Sequence, residues 1–421
     1  CVCGSRCVGG SRCVGGHRDG SLEKIVVVGA AVAALNAAKA LREAGWQEHL
    51  VLLEAGHELP VDRPPLSKGF LLGTTEVERL QLPLASEIDA LDIDLRLNAR
   101  VEGFAADDFR VKLENDDELS AEGVIVATGS SPRRIASWPK AAGIFVLRDL
   151  AEAQELRTAL AATPSRVVVV GAGFIGAEVA SSARALGWEV TMIEVASTPL
   201  QRVLPSQVGA FVADLHRSNG VDLRLNSGVD VPLLDGDGTL RGVRLADGTE
   251  LECEVLVLGI GASPNVEWLR GSGVPISNGI CCDETLMAAP GVVAAGDVAE
   301  WFNPHFGERM RIEQWDNAVE SGGVAARRLL SWAEGDPGEP YVAVPWFWSD
   351  QFDAKIQMAG RPAPEDEAVL IDGSVESGKF AYGFKRGERC MGVLAVNRPR
   401  RAILARMAMA TSLQWDAVVP G

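Results

Sequence analysis

The chain has 421 residues and a formal net charge of −17. This length is sufficient for two to four domains with substantial hydrophobic cores, and the negative charge argues against nonspecific binding to nucleic acid. No uninterrupted apolar run is long enough to cross a membrane. The start of the chain carries no secretory signal pattern, so we expect a cytoplasmic protein that acts without a membrane.

Residues 1–20 form a tail rich in Gly, Ser and Arg, in which Gly-Ser-Arg-Cys-Val-Gly-Gly occurs twice. A repeat of this kind is typical of low-complexity sequence. We therefore expect a disordered or artefactual extension and exclude it from the fold. A metal-binding tail is the alternative, but the spacing of its four cysteines matches no familiar zinc pattern, and we predict no metal site.

The first predicted element is a βαβ unit over residues 22–54. An apolar strand leads into a turn of small residues and an Ala-rich helix, and Glu54 follows Gly29 by 25 positions. Such an acid can hold an adenosine ribose, while the turn lets the backbone approach a pyrophosphate at the helix N-terminus. Ala31 and Ala34 replace the usual second and third glycines. A buried βα packing unit without a ligand is therefore the alternative.

A second unit over residues 166–194 carries the full Gly-x-Gly-x-x-Gly motif at Gly171, Gly173 and Gly176, and Glu194 follows the first of these glycines by 23 positions. A strand before the motif and a helix after it are the context that makes this fingerprint specific. The alternative is an ordinary tight turn in an α/β protein. Two such units in one chain indicate two dinucleotides, and a flavin and a nicotinamide that exchange a hydride are the natural pair.

Three further apolar strands are predicted, and turn-forming residues end each of them. They cover 124–129, 255–261 and 291–297, the last ending in Gly-Asp before an expected helix. If strands after the second unit return to the sheet of the first, the second domain is inserted into the first. Beyond Gly338 the pattern predicts a mostly antiparallel α+β domain. Its short strands lie near 341–348, 354–359, 367–371 and 379–396, with one helix from about 399.

Several short motifs complete the pattern. They are Asp-Arg-Pro-Pro-Leu-Ser-Lys at 62–68, Ala-Thr-Gly at 127–129, Gly-Asp-Val-Ala at 296–299, Glu-Gln-Trp-Asp-Asn-Ala at 313–318 and Trp-Ser-Asp-Gln at 348–351. With the second glycine motif, they resemble the FAD-containing ferredoxin reductases of oxygenase systems, the putidaredoxin reductase and rubredoxin reductase type. The resemblance covers about residues 22–410, and Val61 stands where that family usually has Tyr.

The resemblance implies an α/β fold of the glutathione-reductase-like group. It would contain two Rossmann-like dinucleotide-binding domains, with the NAD domain inserted in the FAD domain, and a C-terminal α+β domain. The boundaries predicted on this basis are 21–138 and 266–335 for the FAD-binding domain, 139–265 for the NAD-binding domain and 336–421 for the C-terminal domain.

The resemblance also implies a catalytic pair, Lys68 and Glu178. Lys68 and Arg63 would lie along the flavin, where a cation near N5 stabilises the reduced, anionic form. Glu178 would pair with Lys68, and a buried pair of this kind is more readily explained by function than by stability. From the residues alone, both members of the pair could equally be solvated helix charges.

Further residues take cofactor-binding roles by the same resemblance. Asp297 would accept a hydrogen bond from the flavin ribityl chain, and Trp315 and Trp348 would pack near the isoalloxazine and nicotinamide. Without the resemblance, each Trp could be an ordinary core or interface aromatic. The predicted cofactor-binding residues are Gly29, Ala31, Glu54, Arg63, Lys68, Thr128, Gly129, Gly171, Gly173, Gly176, Glu194, Gly261, Asp297, Trp315 and Trp348.

Residues 55–80 contain no cysteine. Disulfide reductases of the glutathione-reductase-like group carry a Cys pair after the first βαβ unit, and related peroxide or CoA-disulfide enzymes carry one Cys there. Thiol relay chemistry therefore has no nucleophile in the expected place. We expect electrons to leave the flavin directly, one at a time, for a protein or small acceptor.

Positive charge is concentrated near the C-terminus. Residues 385–406 contain seven Lys and Arg against one acid, Glu388, a local charge of +6. Such a patch could steer and orient an acidic iron–sulfur protein, with Arg398, Arg400 and Arg401 as its contacts. A solvated face of the last hairpin and helix is the alternative.

These features together predict an NADH-dependent FAD enzyme that passes single electrons to a [2Fe–2S] ferredoxin or a rubredoxin. That partner would supply a cytochrome P450 or a ring-hydroxylating, Rieske-type oxygenase. One alternative is a flavoprotein NADH oxidase or diaphorase that acts on oxygen or quinones. The other is a non-catalytic nucleotide-binding protein, which the incomplete first glycine motif suggests.

Overall fold

The structure is a computed structural model that describes residues 22–419, so the tail predicted at 1–20 lies outside the described residues. Helices α1 to α7 of this range cover Val32–Glu43, Leu150–Leu160, Phe174–Ala185, Ser206–Ser218, Trp315–Ala333, Pro399–Met409 and Trp415–Val418. Between residues 22 and 419, no helix combines the length and apolar character that a membrane crossing requires.

A six-stranded sheet forms the first domain. In spatial order its strands are Met287–Ala289, Val292–Ala294, Gly123–Val126, Lys24–Val28, His49–Leu53 and Ile93–Arg96. Neighbouring strands are parallel, except for the first two. Helices α1 and α5 pack on each other and contact the strand Gly123–Val126. Because strands beyond residue 287 complete a sheet that begins at residue 24, the second domain is inserted into the first, as predicted.

The second domain contains a fully parallel five-stranded sheet. Its strands in spatial order are Asp222–Arg224, Glu189–Ile193, Arg166–Val170, Val255–Leu258 and Ile144–Phe145. The central strands are runs of Val, Leu and Ile because both faces of the sheet are covered. Helices α2 and α3 lie on one face. An antiparallel sheet of Val229–Leu234, Leu240–Leu245 and Glu250–Glu252 covers the other face.

The C-terminal domain is a five-stranded antiparallel sheet with α6 packed against it. Its strands in spatial order are Trp346–Gln351, Ala354–Gly360, Arg389–Val396, Lys379–Arg386 and Glu367–Ser374. The strand predicted near 341–348 begins only at Trp346. Upstream, the Tyr341 side chain is buried with its ring 5.1 Å from that of Trp301, so core packing rather than strand pairing fixes this segment.

The helix predicted directly after Gly296-Asp297 is wrong. A single 3₁₀ turn, Gly296–Val298, leads instead into the strand Ala299–Asn303, which pairs antiparallel with Glu308–Arg311. The side chains of that strand alternate between buried and more exposed positions, which is the period of a half-buried strand. The next helix, α5, begins at Trp315.

Two connections cross between the first and second domains, and they lie side by side. Ser130–Pro132 on the outward connection pairs antiparallel with Ala262–Pro264 on the return. The sequence predicts only a turn at the return connection. One further sheet, of Val101–Ala105, Arg110–Leu113 and Glu118–Ser120, belongs to the first domain's core.

Candidate functional site

The two predicted nucleotide-binding turns have the same backbone geometry. Gly29 and Gly171 have φ values of +112° and +100°, in the left-handed region that favours glycine. Each donates its N–H to the carbonyl that ends the neighbouring strand, at 2.8 Å in both turns. A Cβ at either position would lie 2.4 Å from a backbone carbonyl oxygen, that of Ala127 or Gly259. The first turn therefore keeps the required shape although its motif is incomplete.

The turns differ at the other two motif positions. A Cβ at Gly176 would lie 2.1 Å from the carbonyl oxygen of Gly171, so α3 packs directly on its turn. The first turn accommodates the buried methyl group of Ala34 at the corresponding position. Gly173 and Ala31 are the extended N-cap residues of α3 and α1. A Cβ at Gly173 would meet no atom nearer than 3.9 Å, so the missing side chain leaves a cradle that fits a pyrophosphate.

The two predicted ribose-binding acids lie at the carboxyl edges of their sheets. Glu54 Oε1 accepts the N–H of Gly56 at 2.9 Å. Glu194 accepts the N–H of Ala172 at 2.8 Å and that of Ala196 at 2.9 Å. The bond from Ala172 ties Glu194 to its glycine turn, and Glu54 directly follows Leu53, whose carbonyl accepts the N–H of Gly29. In this kind of fold the ribose of a dinucleotide binds at such acids.

Sequence reasoning missed an arginine beside Glu194. The Glu194 N–H donates to the carbonyl oxygen of Arg224 at 2.9 Å, because Glu189–Ile193 pairs with Asp222–Arg224. The Arg224 guanidinium is held by Asp222, with Nε 2.9 Å from Oδ2. The pairing of these two strands brings the arginine to the acid, and that pairing is not visible in the sequence.

Lys68 and Glu178 are brought together, as the resemblance implies. Lys68 Nζ lies 2.9 Å from Glu178 Oε1, and Glu178 is only 3% exposed. Ser67 Oγ donates to the other carboxylate oxygen at 2.5 Å, and Ser349 Oγ donates to Oε1 at 2.6 Å. Three donors from two distant parts of the chain therefore satisfy the buried carboxylate. Such a site is costly to build unless it is fully satisfied, which favours a functional role.

A second charged cluster surrounds Asp297. Its Oδ2 accepts from Ser130 Oγ at 2.8 Å and is paired with Arg148, which sequence reasoning missed. Arg63 lies alongside, with its Nη1 3.9 Å from where a Cβ of Gly129 would stand. Burial, and then repulsion from Arg148, lowers the pKa of Arg63 to about 10. An anionic group bound here would relieve that repulsion, so the cluster fits a flavin dinucleotide.

Thr128 and Gly129 lie where the first domain passes into the second. Thr128 Oγ1 donates to the carbonyl of Asn265 at 2.8 Å, and Asn265 Nδ2 donates back to the carbonyl of Thr128 at 2.9 Å. Gly261 has a φ of +97° and accepts the N–H of Arg133 at 2.9 Å. These bonds fix the two connections between the domains next to the Asp297 cluster.

The two predicted tryptophans lie in different surroundings. Trp315 begins α5, is 37% exposed and donates from Nε1 to Asp62 Oδ1 at 2.9 Å. Burial raises the pKa of Asp62, and the Trp315 hydrogen bond opposes that rise. Trp348 precedes Ser349 on its strand, so its side chain points to the opposite face of the sheet. Trp348 therefore lies outside the hydrogen bonds that surround Glu178.

The predicted basic patch is much less positive than the sequence suggests. Arg398 and Arg401 both pair with Asp372, at 3.9 and 3.3 Å. Arg386 pairs with Asp366, Arg406 pairs with Asp316 and Glu320, Lys385 lies over the Trp415 ring, and Arg389 donates to backbone carbonyls. Within residues 22–419, no hydrogen bond or ion pair of the Arg400 side chain is found. Acids from outside the segment thus neutralise most of the local +6.

Two glycine turns of matched geometry, an acid at the end of the neighbouring strand in each case, and a buried Lys–Glu pair between domains are the arrangement of a two-nucleotide oxidoreductase. The chain belongs to the pyridine nucleotide-disulphide oxidoreductase family, whose model matches residues 23–322. The model of the reductase C-terminal family matches residues 346–419.

Individual relatives agree with this assignment and confirm the resemblance stated from the motifs. Rhodocoxin reductase of Rhodococcus erythropolis is 36% identical over 394 residues, covering 92% of this chain and 90% of that protein. The anthranilate 1,2-dioxygenase system ferredoxin–NAD(+) reductase component of Burkholderia cepacia is 36% identical over 409 residues, covering 94% and 96%. The crystal structure of the covalent putidaredoxin reductase–putidaredoxin complex matches with a TM-score of 0.87 at 30% identity, covering 94% and 95%.

Proposed function

We propose that the protein is an NADH-dependent, FAD-containing ferredoxin reductase of an oxygenase system. It transfers electrons to a [2Fe–2S] ferredoxin or a rubredoxin, and through that partner to a cytochrome P450 or a ring-hydroxylating oxygenase. The observation that carries the proposal is the buried Lys68–Glu178 pair, at 2.9 Å, beside two nucleotide-binding turns of matched geometry. Relatives named as the ferredoxin–NAD(+) reductase components of dioxygenase systems support the same function.

FAD, when bound, accepts a hydride from NADH and releases electrons singly to a one-electron acceptor. The turn at Gly29 would bind its pyrophosphate, Glu54 its adenosine ribose and Asp297 its ribityl chain. The turn at Gly171 would hold the pyrophosphate of NADH. Glu178 would keep the Lys68 ammonium in place, so that its charge acts on the ring without reorganisation during the reaction.

Three of the four described cysteines, Cys253, Cys282 and Cys390, are buried, which supports direct electron transfer rather than thiol chemistry. Burial raises the pKa of Cys253 to about 12 and that of Cys390 to about 11, and burial likewise raises the pKa of Cys282. Buried thiols of this kind remain protonated and are poor nucleophiles. They suit a reducing compartment, and we include a cytoplasmic location in the proposal.

The test of the proposal is the visible absorption spectrum. Titration of the purified protein with FAD should give saturable, noncovalent binding at micromolar protein, and NADH should then bleach the flavin band. The Ala31→Gly variant should bind FAD at least as tightly, because it removes a methyl group from the phosphate side of the turn. Absence of FAD binding would show that the protein is instead a nucleotide-binding protein of another kind.

Cofactor preference follows from Glu194. Its carboxylate accepts a ribose hydroxyl but repels a 2′-phosphate, and Arg224 is already held by Asp222. We expect kcat/KM for NADH to exceed that for NADPH by at least about 100-fold, since juxtaposed like charges cost several kcal/mol. Glu194→Gln should lower the ratio of kcat/KM for NADH to kcat/KM for NADPH. Glu189→Gln, at the exposed start of the strand that leads to Glu194, should leave this ratio unchanged. Equal use of NADPH by the unaltered protein contradicts the assignment.

We place the partner-docking surface on the exposed face of α6. Arg400 shares this face with Ile403, Leu404 and Met407, which are 48%, 48% and 66% exposed. Their spacing puts all four side chains on one side of the helix. A cation beside an apolar stripe fits the acidic rim and apolar centre expected of an electron-transfer partner. Arg398 and Arg401 flank this surface and share the single carboxylate of Asp372, so one positive charge of the two remains uncompensated.

Charge reversal tests the docking surface. Arg400→Glu is expected to lower kcat/KM for an acidic ferredoxin several-fold, because exposed charges act mainly on association. Reduction of ferricyanide, which needs no docking, should stay unchanged. Added salt should reduce the ferredoxin rate of the unaltered protein, because exposed charges are screened over about 10 Å at 0.1 M. Arg241→Glu, at an exposed position of the strand Leu240–Leu245 in the second domain, is the matched control. Equal loss with both acceptors would rule out a docking role.

A further inference from the structure

A row of buried polar side chains leads from α4 to Glu178. His216 Nε2 lies 3.1 Å from Gln351 Oε1, and Gln351 Nε2 donates to Ser349 Oγ at 3.1 Å. Ser349 Oγ in turn donates to Glu178 Oε1 at 2.6 Å. His216, Gln351 and Ser349 have no solvent exposure. The row joins a helix of the second domain, a strand of the C-terminal domain and the carboxylate that holds Lys68.

Glu178, the last member of the row, sets the direction of the hydrogen bonds. An ionised carboxylate only accepts, so Ser349 must give its proton to Glu178 and accept from the amide of Gln351. The Gln351 carbonyl then requires a donor, which fixes His216 as the tautomer protonated on Nε2. Burial lowers the pKa of His216, which favours this neutral ring. Every dipole in the row therefore points its positive end toward the Glu178 charge.

Burying this row of polar side chains does not favour folding by itself. A buried polar side chain costs free energy unless its hydrogen bonds are made, and an apolar core of similar volume is often as stable. His216 Nδ1 is buried and has no hydrogen-bond partner among the described residues. The row therefore does not maximise stability, and the group that gains from it is Glu178.

We propose that Ser349, Gln351 and His216 are positioning residues for the Lys68–Glu178 pair. They hold the Glu178 carboxylate in the orientation that keeps the Lys68 ammonium beside the flavin. This inference rests on the proposed function, because it assumes that Lys68 acts on a bound flavin. It also assigns the C-terminal domain a part in hydride acceptance, in addition to carrying the docking surface.

Ser349→Ala is the decisive variant. Without the Ser349 donor, the carboxylate turns toward Ser67 and Lys68 and draws the ammonium away from the flavin. The rate constant for flavin reduction by NADH is expected to fall about tenfold, the usual effect of losing a hydrogen bond to a charged group. The midpoint potential of the bound flavin should become more negative by about 30 mV, which corresponds to a tenfold change in the equilibrium constant for two-electron reduction.

Ser181→Ala is the matched control. Ser181 is on the same helix, is buried, and accepts the N–H of Phe352 at 2.7 Å, so it also joins α3 to the C-terminal sheet. It has no hydrogen bond to Glu178 among the described residues. Its removal should leave the potential unchanged. If both variants shift the potential equally, the effect is domain packing and the inference is overturned.

The far end of the row gives an independent test. His216→Phe should lower the flavin potential by a smaller amount than Ser349→Ala, because two hydrogen bonds separate it from Glu178. His216→Gln places an amide N–H near the position of Nε2 and should restore the value. Equal behaviour of the Phe and Gln variants would exclude a role for the His216 donor.

A double-mutant cycle tests the row without any flavin. Urea unfolding of the apoprotein should show that Ser349→Ala and Glu178→Gln are not additive, by roughly fivefold or more in the folding equilibrium constant. Additive effects overturn the inference. A protein that takes up no FAD, or whose FAD is not reduced by NADH, would instead overturn the proposed function, and the cycle would still decide whether Ser349 supports Glu178.

Discussion

Replacing Gly176 with alanine is expected to slow reduction by NADH strongly while FAD remains bound. The new Cβ would lie 2.1 Å from the carbonyl oxygen of Gly171, so α3 must move away from the turn that receives the nicotinamide dinucleotide. The carbonyl oxygen is a backbone atom and the position of the Cβ is fixed by the helix backbone, so no side-chain rotation can relieve the contact. We expect kcat/KM for NADH to fall by about 100-fold or more, because displaced binding groups lose both contact and orientation. Stopped-flow reduction by NADH measures the loss, and the flavin spectrum reports the occupancy.

Ala34→Gly is the control in the first domain, where it makes the opposite substitution at the position that corresponds to Gly176. It removes the methyl group that α1 already accommodates, so the nucleotide turn should survive. Its expected cost is about 1 kcal/mol of stability, from placing glycine inside a helix. A Gly176→Ala protein that is still reduced by NADH at the original rate would mean that the second turn does not hold the dinucleotide.

Lys68→Met is expected to slow flavin reduction by about 100-fold, because removal of one preorganised charged group typically has that effect on the chemical step. The same substitution leaves the Glu178 carboxylate buried without its cation. Breaking a buried pair in this way typically costs about 3–5 kcal/mol, so the variant should also unfold at lower urea concentration.

The double variant Lys68→Met with Glu178→Gln separates these two effects. It contains no uncompensated charge, so most of the stability should return. The slow reduction by NADH should remain, because the cation beside the flavin is still missing. Recovery of the rate together with the stability would assign the pair a structural role only. Lys39→Met is the control for loss of a surface cation, because Lys39 forms an exposed pair with Glu43 at 3.9 Å.

Local sequence was enough to predict the two turns and the elements around them. Glycine is needed at positions 29 and 171 because φ is positive there and a Cβ would collide with a backbone carbonyl oxygen. The strand, turn and helix around each glycine follow one another directly in the sequence, so a local pattern can predict them. The acids Glu54 and Glu194 follow at the length of one helix and one strand. The recurrence of buried strands after the second motif only permitted the nested order of the domains, and the family resemblance supplied the prediction.

Partners that are distant in sequence were not predictable from one chain. Arg148 reaches Asp297, and Asp372 pairs with both Arg398 and Arg401, because separate elements meet at those points. Counting charges over residues 385–406 therefore overestimated the positive surface. The same limit applies to Ser349 and His216, since a serine on a strand and a buried histidine carry no signal of a distant carboxylate.

The paired connections between the first two domains restrict how these domains can move. Ser130–Pro132 and Ala262–Pro264 are bonded along their length, and Arg133 is bonded to both Gly261 and Ser263. Two crossings joined in this way move together as one two-stranded ribbon. Any opening between the domains would bend this ribbon, and it would also have to separate the segment Leu66–Phe70, which carries Lys68, from α2 and α3, on which that segment packs.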